Sequence, residues 1–245
     1  MHVLDNPAWS ALTGPQRALG VVAGTVARYE PEVSAFGAFA HEPGPAEWSA
    51  MADLIGPGSV VITTGCTGTP PPEWDLEYDG TAVQMTGEAL AQNPAPVAPD
   101  GVEVVALGPG DVADMVELVD LARPGPFTPR TYELGGYVGI RRDGQLVAMA
   151  GQRMRPVGWT EISAVATHPD HRRRGLGELL VRVVAAGALA RGEQPVLHAS
   201  TDNTGAIRLY EAMGFVVRRR TRFVAARAPG GPTAAAPGVT LPGGG

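Results

Sequence analysis

Ala164-Val165-Ala166-Thr167-His168-Pro169-Asp170-His171-Arg172-Arg173-Arg174-Gly175-Leu176-Gly177 is the stretch on which the reading of this chain turns. An apolar run ending at Ala166 and Thr167 predicts a strand, and His168-Pro169 predicts a turn. The Arg-x-x-Gly-x-Gly loop from Arg172 to Gly177 then opens an apolar-striped helix. At a helix N-terminus the first amides lack intrahelical partners and the dipole is positive, so an anion is favoured there. Glycine, lacking a Cβ, lets that backbone close on a phosphate. The amides of residues 173–177 can thus hold a pyrophosphate, with Arg172, Arg173 and Arg174 adding charge for a further phosphate. Two other phosphate-binding signatures are absent. Leu180 stands where Gly-x-Gly-x-x-Gly needs its last glycine, and the chain has no lysine for a Walker A loop.

Outward from this loop the pattern alternates between strand and helix. Downstream, Leu176, Leu179, Leu180, Val183 and Val184 recur at helical spacing, 196–200 reads as a strand, and 204–213 as a helix. Residues 215–225 read as a closing pair of strands. Upstream, 159–166 is a strand, and 137–141 and 145–151 form a hairpin across Asp143-Gly144. Further upstream, 103–107 is a strand. Asp111 is placed to cap a helix carrying Val112, Met115, Val116 and Val119. The order gives an α/β fold with a mixed sheet.

A second motif, Asn203-x-x-Ala206-x-x-Leu209-Tyr210-Glu211-x-x-Gly214-Phe215, follows the loop. Together the two resemble the GCN5-related N-acetyltransferase (GNAT) superfamily, over residues 102–227. Within it, 151–215 most resembles the FR47-like subgroup, which is related to glycine N-acyltransferases. The resemblance implies a GNAT fold and an acyl-coenzyme A, acetyl-coenzyme A in the first instance, as cosubstrate. It also implies that the strand ending at Ala166 splays from its neighbour and that the pantetheine arm lies in the gap. The amides of Val165 and Thr167 would pair with that arm, and the Val165 amide would polarise the thioester carbonyl. Phosphates would fall to Arg172, Arg173, Arg174, Gly175, Leu176 and Gly177.

Amine attack on a thioester needs a neutral nucleophile and releases a thiolate, so a base and an acid are useful. Tyr210 matches the family tyrosine that protonates the sulfur; the bland reading is a core tyrosine beside Ile207 and Met213. Glu161, eleven residues before Arg172, matches the general base of several members. A solvent-facing strand residue, with water as the base, is the alternative there. Asn203 either bonds the pantetheine arm or the phosphate-bearing segment, or caps the following helix. His198 is an auxiliary base or sheet packing. No metal is expected, since His168-x-x-His171 is already used as the turn into the loop.

All 19 basic residues are arginine, and the net charge is −6. Residues 161–228 hold eleven Arg against six Asp or Glu, a net of +5, which leaves −11 on the remainder. That asymmetry suggests a local anion site. The acidic remainder is compatible with a cationic acceptor. Arg218, Arg219, Arg220 and Arg222 lie on a strand whose alternation would split them between faces. They lack interleaved aromatics, so no nucleic-acid partner is expected. Cys66 is a single cysteine without basic neighbours, which fits an inert thiol in a reducing compartment. The first sixteen residues lack the basic and apolar regions of a secretion signal, and no run approaches a membrane span, so a cytoplasmic protein is expected.

Pro-rich breaks at 69–72, 93–101 and after Pro229 divide the chain. The expected domains are a smaller α/β unit at 1–97, the GNAT domain at 102–227, and a disordered tail at 229–245. In the first, 18–27, 59–64 and 74–85 read as strands and 46–55 as a helix. That unit carries no catalytic constellation, and a degenerate copy of the same fold is open for it. It lacks the glycine loop, so one nucleotide per chain is expected. The expected function is acyl transfer directly to an amine, on a small molecule or a peptide, in a ternary complex. A non-catalytic acyl-coenzyme A-binding module is the alternative.

Overall fold

The computed structural model describes residues 2–92, 98–99 and 101–231. Most of the expected tail and most of the middle break lie outside the described residues. Helix α1 (Pro7–Leu12) precedes the strands β1 (Gly20–Ala23), β2 (Val26–Tyr29) and β3 (Gly37–Phe39). Then come α2 (Pro45–Ile55), β4 (Val60–Thr64) and β5 (Asp75–Thr86). The remainder runs β6 (Val104–Leu107), α3 (Val112–Ala122), β7 (Tyr137–Arg142), β8 (Gln145–Gln152) and β9 (Trp159–Thr167). It finishes with α4 (Leu176–Ala190), β10 (Gln194–Ser200), α5 (Thr204–Met213) and β11 (Val216–Arg227).

Strands β1, β2 and β3 form a small antiparallel sheet. The other eight form one mixed sheet in the order β4-β11-β5-β10-β9-β8-β7-β6. Two strands from before the middle break therefore belong to the larger sheet. β5 lies inside it, antiparallel to both β10 (Met85 opposite Leu197) and β11 (Ala82 opposite Thr221). It is mostly exposed along Asp75–Thr81, where it lacks β10, and buried from Ala82 to Thr86, where it has partners on both edges.

Three local expectations are corrected. The single strand expected at 18–27 is a hairpin, with Ala23 opposite Val26 across a Gly24-Thr25 turn. The closing pair expected at 215–225 is one long strand, β11, which takes its partners from β4 and β5. Asp111 does not cap α3. Its Oδ2 accepts from the Gly108 amide at 2.9 Å and its Oδ1 from Arg141 at 2.6 Å.

The alternation of the strands sends side chains to two helical layers. On one face Leu176, Leu180, Val181 and Val184 of α4 pack on Met85, Ile140, Val147, Ile162 and Leu197. On the other, Met115, Leu118 and Val119 of α3 pack on Tyr137, Leu146, Met149 and Ala166. The wholly buried Leu180 contributes about 2 kcal/mol by its removal from water. Helix α5 starts at Asn203, whose side chain accepts from the Ala206 amide at 3.0 Å. It stops at Gly214, whose φ of 105° is open to glycine.

Candidate active site

The site begins where β9 and β10 part. They pair in parallel from Trp159–Gln194 to Ile162–Leu197 and no further. Beyond that point β10 stays with β5, with His198 opposite Gln84 and Ser200 opposite Ala82. β9 stays with β8, but through a register shift: Ser163 faces Gly151 and Ala166 faces Met149. The shift is a bulge, with Ala164 at a φ of 52°, a strained conformation for a residue with a Cβ. Among the described residues the 163–167 edge of β9 is thereby left without a strand on its β10 side, and its backbone groups there can take another extended chain.

β9 leads directly into the loop. His168-Pro169-Asp170 makes a short turn, and α4 begins after Gly175, which has a φ of 73°. Any side chain at 175 would be strained. Arg172, Arg173, Arg174 and Gly175 are exposed. Leu176 is buried in the α4 core, so it offers only its amide to a ligand. A Cβ at Gly177 would sit 3.6 Å from the Thr167 Oγ1 and 3.7 Å from Val165, which places the loop against the end of β9.

A cavity of about 1050 Å³ opens along the gap. It brings together Val165, Arg172, His198, Asn203 and Tyr210 of the residues singled out from sequence. Ala166, Thr167 and Arg173 to Gly177 continue from it along the strand end and loop, while the Ala166 side chain packs beneath α3. Tyr210 is 8% exposed, and its hydroxyl makes no hydrogen bond among the described residues. Burial pushes its pKa up to about 12. Asn203 both caps α5 and lines the cavity.

Glu161 is placed differently from the expectation of a base facing the acceptor. It is 1% exposed and is absent from the cavity wall. Its Oε2 accepts from Arg153 Nε at 3.0 Å. Its Oε1 accepts from Arg153 Nη2 at 2.5 Å and from His198 Nδ1 at 2.6 Å. Burial by itself raises the pKa of this carboxyl, but the charge of Arg153, with His198 and the hydrogen bonds from both, holds it well below the ordinary range. Arg153 and His198 do line the cavity and stand between it and Glu161.

The tautomer of His198 follows from its neighbours. Gln84 donates from Nε2 to the Leu4 carbonyl and accepts at Oε1 from Arg218, which fixes its amide. Its Nε2 therefore also donates to His198 Nε2 at 3.1 Å, and the imidazole carries its proton on Nδ1, toward Glu161. Sequence reading missed Arg153 and gave His198 only a subsidiary part. The available signal was Glu161 itself, a carboxylate between Thr160 and Ile162 in a buried strand, which needs a cationic partner.

The arginines after 217 do not form a basic surface. Arg218 and Arg219 pair with Asp5, Arg222 with Asp79, and Arg227 with Glu77. Four of the arginines of the basic half are thus tied to three acids of the N-terminal half, while Arg220 is exposed and makes no ion pair among the described residues. Cys66 is free and buried, outside the cavity wall. Among the described residues no three His, Cys, Asp or Glu side chains assemble as a metal site. Nor is any described helix long and apolar enough to cross a membrane.

Comparison with known proteins places this geometry. Residues 137–224 match the family described as FR47-like protein. The crystal structure of a protein assigned to the GNAT family of acetyltransferases, from Novosphingobium aromaticivorans, is similar over 92% of this chain and 98% of that one. The identity is 37% and the TM-score 0.81. A GCN5-related N-acetyltransferase from Kribbella flavida shares the fold at 22% identity and TM-score 0.59, over 91% and 95% of the two chains. The N-alpha-acetyltransferase RimI of Mycobacterium tuberculosis is 36% identical over 83 residues, or 32% of this chain. The match spans 51% of that curated relative, about half its length. With the likeness to the Novosphingobium protein extending over nearly the whole of both chains, this chain belongs to the GNAT family, the GCN5-related N-acetyltransferases.

Proposed function

We propose that the protein transfers an acyl group, acetyl in the first instance, from acyl-coenzyme A directly to an amine held in the same cavity. The observation that carries this reading is the divergence of β9 from β10 after Ile162 and Leu197, with Tyr210 on the wall of the resulting cavity. The free edge of β9 would hold the pantetheine arm through the backbone of Val165 and Thr167. The amides of 173–177 and the side chains of Arg172, Arg173 and Arg174 would hold the phosphates. Acyl-coenzyme A supplies the activated acyl carbon. The amine nitrogen bonds to that carbon as the carbon–sulfur bond breaks, the nitrogen loses a proton, and the sulfur gains one. Tyr210, protonated across the physiological range, is the proton donor to sulfur.

Glu161 is assigned a positioning role: its carboxylate is occupied by Arg153 and His198, and the amine proton leaves to water in the cavity. No covalent acyl-enzyme is invoked, Cys66 being buried elsewhere. We place the reaction in the cytoplasm, in keeping with a thiol left free. Calorimetric titration with acetyl-coenzyme A tests the assignment, followed by turnover over a panel of amines. One site per chain with amine-dependent release of coenzyme A is expected. Binding without turnover of any amine would refute it.

A further inference from the structure

The cavity extends beyond what the phosphate loop and the splayed strands need, toward the vertex where β9 and β10 meet. Four side chains form its wall there, Arg153, Phe36, Phe223 and His198, and Glu161 behind the wall ties the first to the last. The Arg153 guanidinium lies 4.7 Å over the Phe36 ring, Phe36 meets Phe223 edge-on at 6.3 Å, and Phe223 meets His198 at 5.3 Å. Phe36 comes from the small N-terminal unit, and Ile62 of β4 lines the same wall. Both are 2% exposed, so this end of the cavity is apolar and firmly packed.

The polar capacity of this wall is concentrated in one place. His198 has both ring nitrogens engaged, by Glu161 and Gln84, and presents no free lone pair. Arg153 has spent Nε and one side of Nη2 on Glu161, while Nη1 has no hydrogen-bond partner among the described residues. A guanidinium carries five N–H groups, so the Nη1/Nη2 edge remains open to a planar oxygen pair. The acids of the N-terminal half do not compete for this place, because Asp5, Glu77 and Asp79 are bound to arginines elsewhere.

We infer that the acceptor is an α-amino acid with an aromatic or branched apolar side chain. Its carboxylate lies on the open edge of Arg153, and its side chain lies against Phe36, Ile62 and Phe223. The inference rests on the acyl-transfer reading above and specifies its acceptor; it also makes the N-terminal unit the determinant of specificity.

The test is kcat/KM with acetyl-coenzyme A for phenylalanine, leucine, glycine, phenylalanine amide, 2-phenylethylamine and lysine. Phenylalanine and leucine should exceed glycine by roughly 10- to 200-fold, and phenylalanine should exceed its amide and 2-phenylethylamine by at least about 100-fold. Phe36→Leu and Ile62→Val, chosen to preserve the packing, should raise KM for phenylalanine with acetyl-coenzyme A affinity retained. Arg153→Lys should narrow the gap between phenylalanine and its amide. Efficient transfer to lysine or 2-phenylethylamine with phenylalanine inert would overturn this inference and leave the acyl-transfer reading standing. Acetyl-coenzyme A binding with no amine turned over would remove both.

Discussion

Arg153 and Glu161 face each other where β8 and β9 run out of register. The backbone amide of Arg153 donates to the Glu161 carbonyl at 3.0 Å, while the Arg153 side chain grips the Glu161 carboxylate through Nε and Nη2. Removing one partner leaves the other charged and buried, which costs about 3–5 kcal/mol. Glu161→Gln should therefore lose that much stability in urea denaturation, far more than a surface acid would. The pH dependence has a definite sign. The folded pKa of Glu161 is depressed, so its contribution is complete above about pH 4.3 and is lost as pH falls toward the folded value. Between pH 7 and 3 the wild type should lose stability more steeply than Glu161→Gln.

The pair formed by Arg222 and Asp79 is the control. It is bidentate, at 2.7 Å on each arm, but its side chains are 37% and 42% exposed. Asp79→Ala should change stability by no more than about 1 kcal/mol, with most of the difference gone in molar salt.

Tyr210→Phe removes the hydroxyl from the cavity wall and leaves the ring that packs near Phe215. Turnover should fall by roughly 100- to 10,000-fold, with acetyl-coenzyme A binding by calorimetry unchanged. Burial raises the tyrosine pKa to about 12, so the donor stays protonated through the usable alkaline range. The kcat profile of the wild type should accordingly show no alkaline fall between pH 8 and about pH 10, beyond any loss of folded protein.

Gly175→Glu combines two penalties at the mouth of α4. A side chain is forced to a φ of 73°, and a carboxylate is set where phosphates are expected. Acetyl-coenzyme A affinity should drop by about 100-fold or more, roughly 2.7 kcal/mol, while circular dichroism shows the fold retained.

A fragment beginning at residue 98 is expected not to fold. It would lack β5, which supplies Ala82, Val83 and Met85 to the sheet and the core and which covers edges of both β10 and β11. The measurement is a thermal melt of the fragment, in which no cooperative transition should be seen.

What could be read in the sequence was what is encoded locally. Strands β6 to β10 and helices α3 to α5 follow from apolar periodicity, and the Arg172–Gly177 loop follows from glycine spacing. The β1–β2 hairpin was hidden because Gly24-Thr25 is a weak turn signal and because Val21 and Val22 stay exposed despite being apolar. The place of β5 was hidden for a different reason. Its alternation says that it is a strand, but nothing within it names β10 and β11 as its neighbours. The ring around Glu161 was missed because Arg153, Phe36 and Phe223 come from three distant segments that share no motif. Only the burial of the carboxylate, a property of the folded sheet, reveals that it must be matched by a charge.

The interior position of β5 also governs the order in which the molecule can be built. Thr86 pairs with Val216, and Asp75 with Arg227, so β5 must wait for a strand made more than about a hundred residues after it. Until β10 and β11 leave the ribosome, β5 has both hydrogen-bonding edges open, and the first hundred residues cannot close as a finished unit. The small sheet can form early, but β4, β5 and the wall they bring to the cavity are completed only when β11 arrives. The wall formed by Phe36, Ile62 and Phe223 is thus completed only after the Arg172–Gly177 loop and its helix are already in the chain.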